Sequence, residues 1–455
     1  MTVDMAKHFT MGGLLKYTAP AIAMMIFTSI YGVVDGLFVS QFAGKTAFAA
    51  VNLIMPFIMI LGAVGFMIGT GGSAIVAQTR GRGDDALANR RFSLLIYAAL
   101  VLGTLFAIGG FVCAEWVARA LGASEDMVGY CVLYARISML SLPFFILQFV
   151  FQAFFSTAGK PQIGLFVVVA AGLTNILLDI VFVGLAGWGV AGAAFATVVG
   201  EVVGGAVPLI YFARENNSYL RLGATSLDFA VLGRACVNGS SELMTNIATS
   251  VVSMVYNMQL MIYLGADGVA AYGVIMYVML VFAGVFMGYA MGSAPLMSFQ
   301  FGAGNKREMS SLLKRGLGFV GVAGVGMCVA AQLMAHSLAV FFVGYDAQLM
   351  ALTEHALHLY SIAFLLMGFS VFGSALFTSL GNGVVSAAIA FLRTLVFECG
   401  AVLFLPGFLG PDGIWVSVVV GEMAAFLVTT AFIFVFRKKY GYFRKEASRR
   451  FAMGE

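Results

Sequence analysis

Six carboxylates, Asp35, Asp179, Glu201, Glu242, Glu398 and Glu422, stand inside long apolar stretches of this 455-residue chain, and Arg393 is the one base among them. An ionisable side chain in hydrocarbon is costly, so each asks for a partner or a task. The surplus of acid suits positively charged ligands and works against phosphorylated or sulfated ones. Asp35 and Asp179 form the sharpest pair. Each lies about five residues before the end of a stretch that runs the same way, which puts the two carboxylates at similar depth. Asn175 precedes Asp179 by about one helical turn and shares its face. Such a group can bind Na⁺ through its oxygens or carry a proton, and it can also do no more than tie helices together by hydrogen bonds.

Glu242 closes the polar stretch Asn238-Gly239-Ser240-Ser241-Glu242, which reads as the lining of a cavity. A substrate or ion contact and a helix-packing bond both remain open for it. Glu201 and Glu422 hold equivalent places in the two halves of the chain, as a shared structural pair or as substrate contacts. Arg393 and Glu398 are too far round one helix to pair well, so Arg393 is expected to neutralise an acid on another helix. Tyr256 completes the candidate substrate contacts.

Other motifs carry less. Glu354-His355-x-x-His358 has a metal-like spacing without an evident third ligand. Gly69-Thr70-Gly71-Gly72-Ser73 follows no strand and reads as close packing, not as a phosphate loop. The five cysteines are dispersed, with neither a disulfide framework nor a metal spacing. No nucleophile–base arrangement and no nucleotide motif appears, which excludes an enzyme and leaves an ion gradient as the source of energy. No cofactor is expected beyond a coupling ion, H⁺ or Na⁺.

The elements that must position these residues are membrane helices. With 61% hydrophobic residues, 10% charged and a mean hydropathy of +0.98, the chain cannot cover a soluble globule of its size. Twelve apolar runs are long enough to span hydrocarbon, at roughly 14–40, 47–79, 92–114, 128–156, 162–184, 188–213, 231–263, 269–301, 315–336, 356–380, 384–406 and 413–436. None shows the alternation of a barrel strand. Apart from Lys45, Arg119, Arg136 and Arg393, the basic residues fall on the side of the N-terminus, so both termini are expected in the cytoplasm. The first residues hold no cleavable leader, and helix 1 is read as the first anchor. Pro20 reads either as a kink or as a first-turn proline.

The chain also says nearly the same thing twice, about 221 residues apart. Gly44 and Ala49-Ala50 recur as Gly265 and Ala270-Ala271, and Gly71 recurs as Gly292. Gly81-x-Gly83-Asp84 recurs as Gly302-x-Gly304-Asn305, Phe155-x-x-x-Gly159 as Phe377-x-x-x-Gly381, and Gly200-Glu201 as Gly421-Glu422. The expected architecture is all-α and polytopic, with two pseudo-symmetric six-helix lobes. They are an N-lobe over 1–213, a cytoplasmic linker over 214–230 between bundles that move, a C-lobe over 231–436 and a basic tail over 437–455. An even number of spans per lobe makes the repeats parallel, with a binding site where the copies face each other. Asp35 falls opposite Tyr256 and Asp179 opposite a position near Ala401, so the coupling acids are not duplicated.

These segments resemble the multidrug and toxic compound extrusion (MATE) family, in particular its MepA-like bacterial branch. The residues that carry the resemblance are Val34-Asp35-Gly36-Leu37-Phe38-Val39-Ser40 with Gly44 and Ala49-Ala50, then Gly69-Thr70-Gly71 with Gly81-x-Gly83-Asp84. Ala158-Gly159-Lys160-Pro161, Asn175-Ile176-Leu177-Leu178-Asp179 and Gly189-Val190-Ala191-Gly192-Ala193-Ala194 extend it. The resemblance implies a V-shaped pair of lobes that exports small organic cations in exchange for H⁺ or Na⁺. It assigns ion coupling to Asp35, Asn175 and Asp179. Family members that also use acids on helices 7 and 10 are matched only at Glu242, since helix 10 has no acid within the membrane. A monomer in the lipid bilayer of a bacterial inner membrane, with no nucleic-acid partner, completes the expectation. The alternative is a flippase for lipid-linked oligosaccharides, which would need several cavity arginines to meet a pyrophosphate.

Overall fold

In a computed structural model of the chain, residues 4–42 and 45–442 are described, with their side chains except at 33, 35–42 and 45. Among the described residues there is no strand, and twelve long helices follow one another. They are α1 (Met11–Phe42), α2 (Lys45–Gly81), α3 (Asp85–Ala120), α4 (Glu125–Thr157), α5 (Pro161–Leu185) and α6 (Gly189–Ala213). Phe229–Gly302 reverses at Gly265 (φ 65°, ψ −151°), a conformation closed to residues with a Cβ, and so supplies α7 (229–264) and α8 (266–302). Tyr256 on α7 stacks on Tyr272 of α8 at 4.9 Å across that reversal. The chain ends with α9 (Lys306–Val343), α10 (Ala347–Ser379), α11 (Gly383–Leu409) and α12 (Pro411–Val435). Among the described residues eleven helical segments, with 229–302 taken as one, are long and apolar enough to cross a bilayer, as the composition predicts.

Several helices run past the apolar spans because their polar ends are capped. Asp84 accepts the Leu87 N–H at the start of α3, and Asn305 accepts that of Glu308 at the start of α9. Gly83 and Gly304 just before them take φ of 88° and 70°. The repeated Gly-x-Gly-Asp/Asn is therefore a stop and a start, one glycine in the left-handed region and a cap after it. Pro20 lies well inside α1, so the first-turn alternative does not hold. Gly44 falls outside the described residues.

The lobes meet along α1, α2, α7 and α8, mostly in the half nearer the termini. A Cβ on Gly71 of α2 would stand 2.0 Å from Ala235 O of α7, and one on Gly239 of α7 would stand 1.9 Å from Met67 O. In the mirrored contact a Cβ on Gly292 of α8 would reach 3.2 Å from Thr18 of α1. A Cβ on Gly81 would stand 2.1 Å from Phe299 O, and one on Gly302 would stand 2.1 Å from Gln78 O. The duplicated glycines thus form the seam itself, where helix backbones touch. Gln78 Nε2 donates to Ser379 O at 2.7 Å, and Asn238 Nδ2 to Gly71 O at 3.4 Å, which close this end further.

The N-terminal segment belongs by packing to the second lobe. Met5, Phe9, Leu14 and Tyr17 are buried in a core built otherwise from α8 to α12 and Tyr442. Gln300 donates to Met5 O at 2.7 Å, and Glu308 accepts the Phe9 N–H while touching the His8 ring at 2.6 Å. The segment between α6 and α7 is pinned to α3. Arg221 N–H donates to Asn89, Gly223 N–H to Ser93 and Thr225 Oγ1 to Arg90 O, with Leu220 fully buried.

Candidate functional site

α5 carries Asn175 and Asp179 on one face, and both are buried inside the first lobe. Asn175 Nδ2 donates to Thr197 Oγ1 of α6 at 3.3 Å. One turn along α6, Glu201 accepts a short hydrogen bond from Ser141 Oγ of α4. α6 can come this close because Gly200 has no side chain; a Cβ there would lie 3.1 Å from Asn175 Cβ and 3.0 Å from Ala171 O. On its other side α5 meets α1, where Phe27 and Tyr31 pack over Gly172. Asp179 ends the regular α-helix, and the next turn, Ile180–Leu185, is a π-helix. Such wide turns are rare and often mark functional positions. The side chain of Asp35 lies outside the described residues.

The second lobe holds the other acids. Arg393 reaches across from α11 to α12, with Nε at 2.8 Å and Nη2 at 2.7 Å from the same oxygen, Oε1 of Glu422. Glu422 is 2% exposed, and its second oxygen is buried without a hydrogen-bond donor. Glu201 and Glu422 thus occupy matching places with different partners, a serine hydroxyl in one lobe and a guanidinium in the other. Glu242 is partly buried one turn beyond the seam and within electrostatic reach of Arg393. The polar stretch before it does not line a cavity throughout: Asn238 donates to Gly71 O across the seam at 3.4 Å, and Gly239 packs on Met67 O.

Glu398, an acid that the sequence offers without a role, lies at the centre of this cluster. It is the last residue of a second π-helical segment, Leu392–Glu398. Gly421 lets α12 lie on that turn; a Cβ there would stand 3.1 Å from Glu398 Cα and 3.3 Å from its Cβ. The Tyr256 hydroxyl approaches the Glu398 carboxylate without closing a hydrogen bond of ordinary geometry. Tyr272 and Tyr360 stand within electrostatic reach. Tyr256, Tyr360 and Trp415 are fully buried or nearly so, and their rings fill the space. The one signal that could have found Glu398 is the repeat, since Gly421 packs on it as Gly200 packs on Asn175.

The histidine motif does not converge. His355 Nε2 meets Asp412 at 2.9 Å, and His358 Nδ1 meets Gln332, while Glu354 pairs with His336. No group of three metal-ligating side chains stands together among the described residues. Gly69, Gly71 and Gly72 pack against α4, α7 and α3 in turn, as close packing predicts.

The sequence pattern of the MatE family matches residues 20–181 and 243–400. A multidrug export protein MepA from Staphylococcus saprophyticus is 24% identical over 435 residues, covering 95% of either chain. A second MepA, from Staphylococcus haemolyticus, is 27% identical over 421 residues and 91% of either chain. Among solved structures, the outward-facing conformation of a multidrug resistance MATE family transporter of the MOP superfamily superposes with a TM-score of 0.89 at 22% identity. It spans 94% of this chain and 96% of that one.

Proposed function

The chain belongs to the MatE family, and on that premise we propose that it exports organic cations of varied structure across a bacterial membrane, by alternating access, in antiport with H⁺ or Na⁺. The observation that carries this reading is the charge of the membrane interior. Buried acids stand in both lobes, and Arg393, the arginine that lies among them, is held by Glu422. What enters from solution therefore meets negative charge. A pyrophosphate-bearing lipid would find Arg393 already paired, which is the argument against a flippase.

Asp35, Asn175 and Asp179 are the coupling residues in this reading. Glu201, Glu242, Glu422, Arg393 and Tyr256 shape the path of the substrate. The glycine seam closes the half nearer the termini and leaves the opposite half as the exit. A cation bound at the α5 cluster favours this state, in which the drug leaves. Its release on the other side restores affinity for the next drug molecule. One proton or Na⁺ exchanged for one monovalent cation moves no net charge, so the concentration difference of the coupling ion drives that exchange, at about 1.4 kcal/mol for each tenfold ratio. The reading places both termini in the cytoplasm and takes the chain as a monomer.

The test is ethidium transport in proteoliposomes under separately imposed pH and Na⁺ gradients. Wild type should drive ethidium with one of the two. Asp35→Asn and Asp179→Asn should each remove the response to that gradient while leaving ethidium binding measurable. Full gradient-driven transport in both variants would refute the coupling role.

A further inference from the structure

We propose that Glu398 is a proton-carrying site of the second lobe, assembled with Tyr256, Glu422 and Arg393 at the place where the first lobe holds Asn175 and Asp179. The proposal deepens the antiport reading and rests on it only for the use to which the proton is put. Three independent observations locate the site. The first is position. Gly200 of α6 packs on Asn175 of α5, and its repeat partner Gly421 of α12 packs on Glu398 of α11. Tyr256, the repeat partner of Asp35, is the side chain that approaches Glu398. The two lobes therefore bring corresponding helices together around a carboxyl group in both cases.

The second is backbone. α5 and α11 each contain a π-helical segment that begins or ends at the acid, Ile180–Leu185 after Asp179 and Leu392–Glu398. A π-turn costs regular hydrogen bonding and is retained where it aims a side chain.

The third is charge. Glu398 is faced by Tyr256 from α7, Tyr272 from α8, Tyr360 from α10 and Glu422 from α12, with Arg393 and Cys399 on its own helix. Glu242 shares the same arginine. Arg393 commits both Nε and Nη2 to one oxygen of Glu422, whose other oxygen stays buried and undonated. One cation is thus set against three carboxylates, and uncompensated charge in a membrane interior is costly. A proton on Glu398 lowers that excess by one, with the Arg393–Glu422 pair left as it stands. A Na⁺ ion would have to sit beside Arg393 and displace buried rings.

The full chain, reconstituted in lipid without drug, tests this by infrared difference spectroscopy. Between about pH 5 and pH 9 the protonated-carboxyl band of wild type should exceed that of Glu398→Gln by one residue, and Na⁺ at fixed pH should not change it. Glu398→Asp should restore a titrating band. Superimposable wild-type and Glu398→Gln spectra would overturn the proposal, and so would loss of the band on adding Na⁺. If Glu398→Gln does not fold, dicyclohexylcarbodiimide on the wild-type chain decides. An adduct on the Glu398 peptide that fades as pH rises supports the site, and its absence at low pH refutes it. Neither measurement uses a drug or a gradient. A titrating Glu398 in a protein that moves no ethidium would sink the antiport reading alone.

Discussion

Replacing one duplicated glycine at the seam should open the end that this conformation closes. A Cβ on Gly302 would stand 2.1 Å from Gln78 O and 2.7 Å from Gln78 Cα, where 3.4 Å is ordinary contact. The deficit is about 1.3 Å, and both obstructing atoms are backbone, so no rotamer can absorb it. α2 and α8 must separate. Overpacking of this kind costs about 1–3 kcal/mol, and here the cost falls on one conformation of two. The closed-seam population should fall roughly 5- to 150-fold relative to the alternative. Spin labels at Arg82, in the turn after α2, and Arg307, in the first turn of α9, both exposed, read the separation directly. Gly302→Ala should move the distance distribution to longer values and slow ethidium export. Gly318→Ala on α9, where an added Cβ meets nothing within 4 Å, serves as the control and should change neither. An unchanged distribution in a folded Gly302→Ala protein would show that the seam is not the gate.

Two further outcomes follow from buried groups. Arg393→Met leaves Glu422 as a buried carboxylate without its cation, which should cost about 3–5 kcal/mol and lower the thermal midpoint in detergent; adding Glu422→Gln should recover most of it. Tyr442, beyond the last span, is buried and donates to Ile433 O at 2.7 Å. Burial pushes its hydroxyl above the ordinary tyrosine value, so the folded state favours the protonated form. The stability this adds is fully present below about pH 10 and is lost as pH rises beyond it. Tyr442→Phe should cost about 1 kcal/mol at pH 8, yet lose less than wild type between pH 8 and pH 11 in unfolding measurements.

The helices were legible because membrane burial forces continuous apolar runs, and the reversal at Gly265 was legible because a run of that length cannot be one span. The partner of Arg393 was legible as a need, since a lone base in hydrocarbon requires an acid, but not as Glu422: which helix supplies it depends on how α12 lies on α11. The reach of Met5 to Tyr17 into the second lobe left no mark at all, because a short polar-flanked segment packs wherever tertiary contacts take it. Asn238 and Gly239 were misread for a related reason. A polar run in a span signals burial among helices, and only geometry separates a cavity wall from a seam.

The duplication also means more than its conserved letters. Read as identities, the scaffold glycines repeat and the acids Asp35 and Asp179 do not, so coupling belongs to the first lobe alone. Read as contacts, each glycine specifies which residue its partner helix must present. Gly200 presents Asn175, and Gly421 presents Glu398. The first lobe sets an amide and, one turn on, a carboxylate in that position; the second sets a carboxylate with an arginine pair beside it. The lobes have therefore diverged in how the charge is compensated more than in where a titratable group stands. If both sites carry a proton, one export cycle draws on two, and exchange for a monovalent drug then carries one net charge inward, which adds about 2.3 kcal/mol per 100 mV to the drive. The number of coupling ions per ethidium, two in wild type and one in Glu398→Gln, is where that difference becomes measurable.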